Sequence, residues 1–355
     1  MEQSSEYIVI AEALLTENGF ITDRTVRIKD GFISDITSHA QASHNVKVFE
    51  FSGHLIAPCF CDYHLHFFKR KKEKIKEITD ALTSCGISKV YEGGDSYGYG
   101  MEVKKSVTDR LTVQSAGYAL YKKASYGSYI GRGVENRQEA ENIIDRLSRD
   151  GVDYIKVVHS GVFQPADGTI SSGGFAFQEL KHLITYAGAR GLDVVCHANG
   201  DEAVREAIEA GVSYIVHGLG ISSESIALMA EKKISFIPTV NAFACLASPG
   251  LQKEANKNIR GALAKHLIAI KRASDMGVKV LPGSDAGPAA IPYGVSYLKE
   301  LRLFQDAGIS PEKILISAAA GKLEQGAKAD FLILNGFTAK HVCRGGYLST
   351  PQTGT

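Results

Sequence analysis

The sequence predicts an α/β fold, a (β/α)8 TIM barrel with a small β-sandwich domain formed by both termini. From Leu55 onward, apolar strand-like segments alternate with helical segments, the order typical of parallel sheets. Before that point and again after Ala329, the chain shows short runs rich in β-branched and aromatic residues, which are typical of strands joined by turns. We therefore expect a composite β-sandwich domain from residues 1–53 and 326–355 and a barrel from residues 54–325.

The central segment contains eight apolar strands, and eight parallel strands with intervening helices close into a barrel. Several of these strands follow a glycine that ends a helix, since glycine reaches the left-handed conformation without steric cost. An open doubly wound sheet is the alternative, but no Gly-x-Gly-x-x-Gly turn follows an early strand. The predicted strands are Leu55–Cys61, Ile87–Glu92, Leu111–Ala116, Tyr154–Val158, Leu192–Cys196, Tyr214–Val216, Ile234–Pro238 and Val278–Leu281.

Charge and composition exclude several classes of protein. The 355 residues include 40 Lys and Arg against 39 Asp and Glu, a net charge of +1, whereas nucleic-acid binders usually carry a basic excess. We therefore expect a small-molecule substrate and no nucleic-acid partner. The six cysteines show no paired spacing, and we see no secretory signal or membrane-length apolar run, which predicts a cytoplasmic protein without a membrane partner. A homo-oligomer is compatible with the sequence.

Polar residues at the ends of the predicted strands form the candidate site. In a barrel, the carboxyl ends of the strands converge on one mouth. A single histidine there is unremarkable, but four of the eleven histidines fall at such positions. Imidazole and carboxylate together suit zinc and related divalent ions. The candidate metal ligands are His64, His66, Lys156, His197, His217 and Asp285.

Lys156 allows two interpretations. Burial and a nearby cation both lower the pKa of a lysine and favour the neutral amine, which can add carbon dioxide. The resulting carbamate would behave as a carboxylate and could bridge two metal ions. Alternatively, Lys156 forms a salt bridge with Asp285 in a site that holds one ion. The residues alone support the two interpretations equally.

Several segments resemble motifs of the amidohydrolase superfamily. Pro58-Cys-Phe-Cys-Asp62-Tyr-His64-Leu-His66 is similar to its entry motif, Pro-Gly-x-x-Asp-x-His-x-His, although Cys59 replaces the usual glycine. Gly283-Ser-Asp285-Ala-Gly resembles its motif at the eighth strand, and Gly326-Ala-Lys-Ala-Asp330 resembles the return to its β domain. The run from His197 to Gly218 is similar to the imidazolonepropionase-like and Xaa-Pro-dipeptidase-like branch.

The resemblance implies the barrel, the composite β-sandwich and the six metal ligands named above. In members with a lysine at the fourth strand, that lysine is usually carbamylated and bridges two metals, so the resemblance favours the carbamate on Lys156. Deaminase members usually carry a glutamate three residues after the histidine of the fifth strand. This chain has Gly200 at that position, which argues against a deaminase.

The predicted activity is metal-dependent hydrolysis of an amide C–N bond in a dipeptide, an N-acyl amino acid or a cyclic amide. Two divalent ions, expected to be zinc, would lower the pKa of a bridging water. Asp285 would accept the proton of that water and deliver it to the leaving nitrogen, as general base and then general acid. The alternatives are a lactonase or deaminase of the same superfamily, or a non-catalytic scaffold, which the retention of all six ligands disfavours.

Substrate contacts are less well defined by the sequence. The candidate substrate-binding residues are Tyr97, His159 and Asn241. Residues 69–76 hold six lysines and arginines in eight positions after the first predicted barrel strand. This stretch could attract an anionic substrate to the mouth, but the pattern favours a solvated helix face.

Overall fold

The computed structural model describes residues 6–38, 46–68, 75–107, 109–247, 250–288 and 290–351. Contacts divide the chain into two compact units. The first unit contains Met1–Cys61, Asp80–Lys89 and Ser310–Thr355, and the second contains Asp62–Thr79 and Val90–Ile309. Residues 69–74 of the basic stretch lie outside the described residues.

The described residues contain both helices and strands, as the predicted α/β class requires. The helices are α1 (Ile75–Ser84), α2 (Tyr99–Ser106), α3 (Arg137–Asp150), α4 (Phe177–Gly188), α5 (Asp201–Ala210), α6 (Ser223–Glu231), α7 (Val240–Ala244), α8 (Lys253–Asp275), α9 (Val295–Asp306) and α10 (Pro311–Ala318). The strands are β1 (Glu6–Thr16), β2 (Gly19–Thr22), β3 (Arg24–Lys29), β4 (Phe32–Ser38), β5 (Lys47–Pro58), β6 (Phe60–Leu65), β7 (Ile87–Glu92), β8 (Thr112–Ser115), β9 (Ala119–Lys122), β10 (Gly131–Val134), β11 (Ile155–Val158), β12 (Phe163–Gln164), β13 (Thr169–Ile170), β14 (Val194–Ala198), β15 (Tyr214–His217), β16 (Ser235–Ile237), β17 (Phe331–Asn335), β18 (Thr338–Arg344) and β19 (Tyr347–Ser349).

Strands from both ends of the chain form one eight-stranded sheet in the first unit. Its order is β19-β18-β17-β5-β1-β3-β4, and β2 pairs with β1. β5 runs parallel to β1 and antiparallel to β17. Alternate side chains of these strands point to the same face, which buries Val9, Ile28, Ile33 and Phe331 in one core cluster. The segments near the two termini therefore share a hydrophobic core.

The predicted first barrel strand, Leu55–Cys61, was wrong in its boundaries. Leu55 and Ile56 belong to the end of β5, where they pair with Leu334 and Ile333 of β17. The strand that leads to His64 is instead β6, which begins at Phe60. A continuous apolar run spans both strands, so hydrophobicity alone does not show where the pairing changes.

The second unit contains a six-stranded parallel sheet with the order β10-β9-β11-β14-β15-β16. α4, α5 and α6 connect β11, β14, β15 and β16 in sequence, which is the connection that parallel strands require. Gly151 and Gly211 end α3 and α5 in the left-handed conformation, as their positions in the sequence predict. A further sheet has the order β6-β7-β8.

The predicted eighth strand, Val278–Leu281, is reduced to a single parallel bridge between Val280 and Phe236. Pro282 follows directly, and a proline has no N–H group to extend a ladder. The chain then makes a second parallel bridge between Ala286 and Leu65 of β6. The predicted position is therefore right, although the segment lacks regular pairing.

Within the described ranges, no helix is both long and apolar enough to span a membrane.

Candidate metal centre and substrate cavity

His64, His66 and Asp285 meet at one point in the second unit. Asp285 Oδ1 lies 3.4 Å from His64 Nε2 and 3.6 Å from His66 Nε2. One potential ligand atom from each residue lies within 4.8 Å of the other two, which is close enough for a shared metal ion. Both histidines are buried, whereas the Asp285 side chain keeps 19% of its surface exposed. A solvent-derived reactant could therefore reach the carboxylate.

The two imidazoles pack against the backbone of Gly93, which follows β7. A Cβ atom at this position would lie 2.7 Å from His64 Cε1 and 2.8 Å from His66 Cε1, closer than nonbonded carbon atoms approach. The N–H of Gly93 also donates a hydrogen bond to the carbonyl of Leu65, 2.8 Å away. Residue 93 must therefore lack a side chain if both rings are to keep these positions.

His197 and His217 extend the cluster from the neighbouring strands β14 and β15. Their ring centroids lie 4.5 Å apart, and the ring of His217 lies 5.7 Å from that of His64. The rings of His64 and His66 are separated by 4.9 Å. The structure thus places the four predicted histidines next to one another.

Hydrogen bonds define which ring nitrogens remain available. His66 Nδ1 donates to the carbonyl of Gly94 at 2.7 Å, and His197 Nε2 donates to the carbonyl of Gly161 at 3.0 Å. Because a carbonyl only accepts, Nε2 of His66 and Nδ1 of His197 carry the lone pairs. The other ring nitrogen of a metal-binding histidine usually makes such a bond, which fixes the tautomer and the ring orientation.

Lys156 is fully buried on β11 in the same cluster. Its Nζ and both ring nitrogens of His64 have no hydrogen-bond partner among the described residues. Such orphaned polar atoms are rare in folded proteins and call for an explanation such as an ion. Four imidazoles, a carboxylate and an amine are donors that suit zinc and related divalent ions, so the residues present fit a metal.

Burial perturbs the titration of the two charged members of the cluster. It lowers the pKa of Lys156 to about 8, although the Asp285 carboxylate acts in the opposite direction. It raises the pKa of Asp285 to about 7, opposed by the charge of Lys156. Burial, together with the charge of Lys156, also holds the pKa of His64 well below its usual value, so this imidazole is neutral and able to bind a cation.

Two of the cluster residues have a left-handed backbone. The φ angles are 71° at His217 and 52° at Asp285, in a region that residues with a side chain seldom adopt. His217 is the last residue of β15, and Asp285 lies between the bridges of Val280 and Ala286. Strained backbone of this kind is concentrated at functional sites.

The three predicted substrate contacts do not line the cavity next to the cluster. Tyr97 is 86% exposed, because it lies in the turn before α2. His159 is buried, with Nε2 2.9 Å from Glu206 Oε2 and Nδ1 accepting from the N–H of Phe175. The N–H of Asn241 donates to Glu300, and its side-chain Nδ2 is buried without a hydrogen-bond partner in the described part of the chain.

The cavity has a volume of about 380 Å³ and contains all six predicted metal ligands in its lining. Its walls include residues that were not among the three candidate substrate contacts. Among them are Tyr126, Tyr129, Val162, Phe163, Asn199, Leu219, Thr239, Phe243, Leu246 and Ile291. Four tyrosines occur between residues 118 and 129, and this cluster was a sequence signal that could have pointed to the wall residues Tyr126 and Tyr129.

A family model for the amidohydrolase family matches residues 55–350. The chain belongs to this family. It is also 30% identical over 290 residues to uncharacterized proteins of Mycobacterium bovis and Mycobacterium tuberculosis, in a match that covers 76% of this chain and 73% of each relative. The family predicted from the sequence is therefore confirmed.

Several solved structures have a similar fold. A Xaa-Pro dipeptidase with bound methionine in its active site has a TM-score of 0.80 and 20% identity, over 98% of this chain and 100% of that chain. The ochratoxinase of A. niger has a TM-score of 0.79 and 20% identity, over 99% of this chain and 97% of that chain. A putative prolidase from Bifidobacterium longum has a TM-score of 0.80 and 19% identity, over 98% and 95%. A Xaa-Pro dipeptidase and a putative prolidase are thus among the similar structures, in agreement with the Xaa-Pro-dipeptidase-like branch that the sequence predicted.

Proposed function

We propose that this amidohydrolase hydrolyses an amide C–N bond with two divalent metal ions, expected to be zinc. The observation that best supports this function is the buried cluster of four imidazoles, Lys156 and Asp285, in which three nitrogen atoms have no hydrogen-bond partner among the described residues. The metal pair, when bound, would supply Lewis acidity and lower the pKa of water. The proposed ligands are His64, His66, Lys156, His197, His217 and Asp285.

Lys156 is proposed to bind metal as a carbamate. Its neutral Nζ adds to the carbon of carbon dioxide, one N–H proton is released, and the new N–C bond leaves an anionic carboxylate at the end of the side chain. Burial supports this step, since it lowers the pKa of Lys156 to about 8 and so increases the neutral fraction. The absence of a hydrogen-bond partner for Nζ in the described ranges favours the carbamate over a salt bridge with Asp285.

Asp285 is proposed to move the proton. Its side chain keeps 19% of its surface exposed beside the other proposed ligands, so it can contact both water and the substrate. It would take a proton from water as the carbonyl carbon is attacked and deliver it to the leaving nitrogen. Gly200 lies at the start of α5 and offers no carboxylate, which supports an amide hydrolase over a deaminase.

The proposal includes the wider architecture and setting. We propose a closed (β/α)8 barrel over residues 54–325 and a β-sandwich over residues 1–53 and 326–355. The bridges of Val280 to Phe236 and of Ala286 to Leu65 support closure, because they connect segment 280–286 to β16 and to β6. We further propose that the enzyme acts on a small molecule in the cytoplasm, without a nucleic-acid or membrane partner, and that copies of the chain can associate as a homo-oligomer.

Substitution of Asp285 tests the function. Asp285→Asn keeps the size of the side chain and an oxygen atom but loses the base, so we expect retained metal and a decrease in kcat of at least about 100-fold. The control is Asp306→Asn, an exposed aspartate at the end of α9. The assay uses zinc-loaded protein and a library of dipeptides, N-acyl amino acids and simple amides. Equal turnover by Asp285→Asn and the wild type would remove Asp285 from this role.

A spectroscopic experiment tests the carbamate. Protein loaded with zinc in isotopically labelled bicarbonate should show a carbamate carbon resonance by NMR and bind about two ions per chain by elemental analysis. Lys156→Met, which cannot add carbon dioxide, should lose the resonance and part of the metal. A fully loaded wild type without the resonance would contradict the carbamate and leave the other ligands unaffected.

A further inference from the structure

The cavity next to the metal ligands contains almost no charge of its own. Lys156 and Asp285 are the only lysine, arginine, aspartate or glutamate side chains in its described lining, and both belong to the proposed metal cluster. The remaining lining is mostly apolar or aromatic. Any charged group of a substrate would therefore have to find its partner at the metal site or outside the described walls.

Most neutral polar groups of the described walls already make a hydrogen bond. Asn199 Oδ1 accepts a hydrogen bond from the N–H of Leu219 at 3.1 Å, and its Nδ2 points to the carbonyl of Gly161. Thr239 Oγ1 is bonded to His217 Nδ1 at 2.7 Å. The hydroxyls of Tyr126 and Tyr129 are bonded to each other, which leaves one O–H group of the pair as a donor. His266 Nδ1 also lacks a hydrogen-bond partner among the described residues. Apart from the proposed metal ligands, the described walls thus offer an ionised group neutral partners but no opposite charge.

The apolar side of the cavity is a packed surface. Phe163 and Phe243 meet edge to face, with ring centroids 5.0 Å apart, and Leu219 packs in the same cluster. A carboxylate or ammonium held against this surface would lose water without gaining a partner there, which is unfavourable. An alkyl or aryl group of the same size would instead gain from burial.

We propose that the substrate is an uncharged, apolar amide, with no ionised group on either side of the scissile carbonyl. This inference rests on the proposed amide hydrolysis and narrows its substrate class. It excludes dipeptides with free termini and N-acyl amino acids as preferred substrates. A volume of about 380 Å³ suits a compact molecule of this kind.

A pair of compounds that differ by one carboxylate tests the inference. N-Benzoyl-L-leucine and N-isopentylbenzamide have the same acyl group and the same branched alkyl chain, but only the first is charged. For zinc-loaded protein, we expect kcat/KM to be at least about 100-fold higher for the neutral amide, given the cost of an unpaired buried carboxylate. The dissociation constants, measured by isothermal titration calorimetry, should differ in the same direction.

A variant with a charge added to the wall provides a second readout. Leu246 lines the cavity and is 41% exposed, so a longer side chain can reach solvent and the cavity. Leu246→Arg should shift the ratio of the two dissociation constants towards N-benzoyl-L-leucine by at least about tenfold, as expected for a charge-assisted pair. Leu246→Gln, which is polar but uncharged, is the matched control and should shift it much less.

The outcomes separate this inference from the proposed function. Tighter binding of the neutral compound without turnover of either one would support the inference and contradict amide hydrolysis. Turnover that favours N-benzoyl-L-leucine would overturn the inference and support hydrolysis. An unchanged binding ratio in Leu246→Arg would also overturn it, because the missing charge would then not determine selectivity.

Discussion

The carboxylate of Asp62 holds Ser284 at the junction between the segments that carry His64 and Asp285. Asp62 Oδ2 accepts a hydrogen bond from Ser284 Oγ at 2.5 Å. Its Oδ1 accepts from the N–H of Ser284 at 2.9 Å and from the N–H of His64 at 3.2 Å. Because these donors adjoin or belong to the proposed ligands, one buried carboxylate connects two parts of the proposed metal site.

Ser284→Ala should weaken this junction. The buried carboxylate of Asp62 would lose one of its donors, which costs about 1–3 kcal/mol of the free energy of unfolding and loosens the position of Asp285. Urea unfolding and zinc titration would measure the two effects. Ser106→Ala, at an exposed position of α2, should leave both unchanged. Wild-type stability and metal affinity in Ser284→Ala would contradict this role of the hydroxyl.

Thr239→Val should reduce metal affinity by about 10- to 100-fold, because Thr239 Oγ1 orients the ring of His217. Valine has nearly the same shape and, like threonine, is branched at Cβ, so the left-handed φ of 48° is strained in both proteins. Thr239→Ser keeps the hydroxyl and should retain most of the affinity. Competition with a chelator of known zinc affinity gives the measurement, and equal losses in the two variants would disprove the orienting role.

Gly93→Ala should displace the imidazoles of His64 and His66. The added Cβ would lie within 2.8 Å of a carbon atom in each ring, so the rings must move away from it. We expect a decrease in zinc affinity of at least about tenfold, comparable to loss of an orienting contact. Gly261→Ala in α8, where an added Cβ meets no atom within 4 Å, is the control and should raise stability by up to about 1 kcal/mol. Full zinc affinity in Gly93→Ala would show that the rings tolerate the displacement.

Glu300 should make the stability of the protein depend on pH. Its carboxylate accepts from the N–H groups of Val240 at 2.9 Å and Asn241 at 2.6 Å, and burial raises its pKa from the usual 4.5 to about 8. The folded state therefore binds more protons than the unfolded state between these pH values. The free energy of unfolding should fall as the pH rises through this range, with a slope of up to about 1.4 kcal/mol per pH unit from this group.

Glu300→Gln tests this dependence, because glutamine does not titrate. The variant should be less stable overall, since its amide offers one acceptor to two N–H groups. Its free energy of unfolding should also fall less steeply as the pH rises, and the difference between the two slopes should equal the contribution given above for Glu300. Urea unfolding of both proteins at several pH values and equal metal content measures the difference. Glu254→Gln, exposed near the start of α8, should follow the wild type. Parallel curves for Glu300→Gln and the wild type would contradict the assignment.

The cluster of proposed metal ligands was the part of the site that the sequence predicted best. Histidine, lysine and aspartate after apolar runs have a chemistry that differs from that of the core, so their positions stand out without any knowledge of packing. His64 and His66 also have the spacing of two residues that places side chains on one side of a strand. The structure brings these residues together with Lys156, His197, His217 and Asp285 in one cavity lining.

The walls and the strand boundaries were less accessible to prediction. Phe163, Phe243 and Leu246 lie in a two-residue strand, a short helix and the turn after it, where no periodicity distinguishes a wall residue from a core residue. Tyr97 looked similar in the sequence, yet it faces solvent because the turn before α2 directs it outward. The change of pairing between β5 and β6 was hidden for a related reason, since long-range partners determine it.

At His217 and Asp285, the left-handed backbone lowers the stability of the fold, while the side chains supply proposed metal ligands. Conformations of this kind cost about 1–3 kcal/mol in a residue with a side chain, and glycine avoids that cost. Glycine at either position would remove this strain and, with it, one of the six proposed ligands. A search for heat-resistant variants of this protein must therefore measure turnover from the first round.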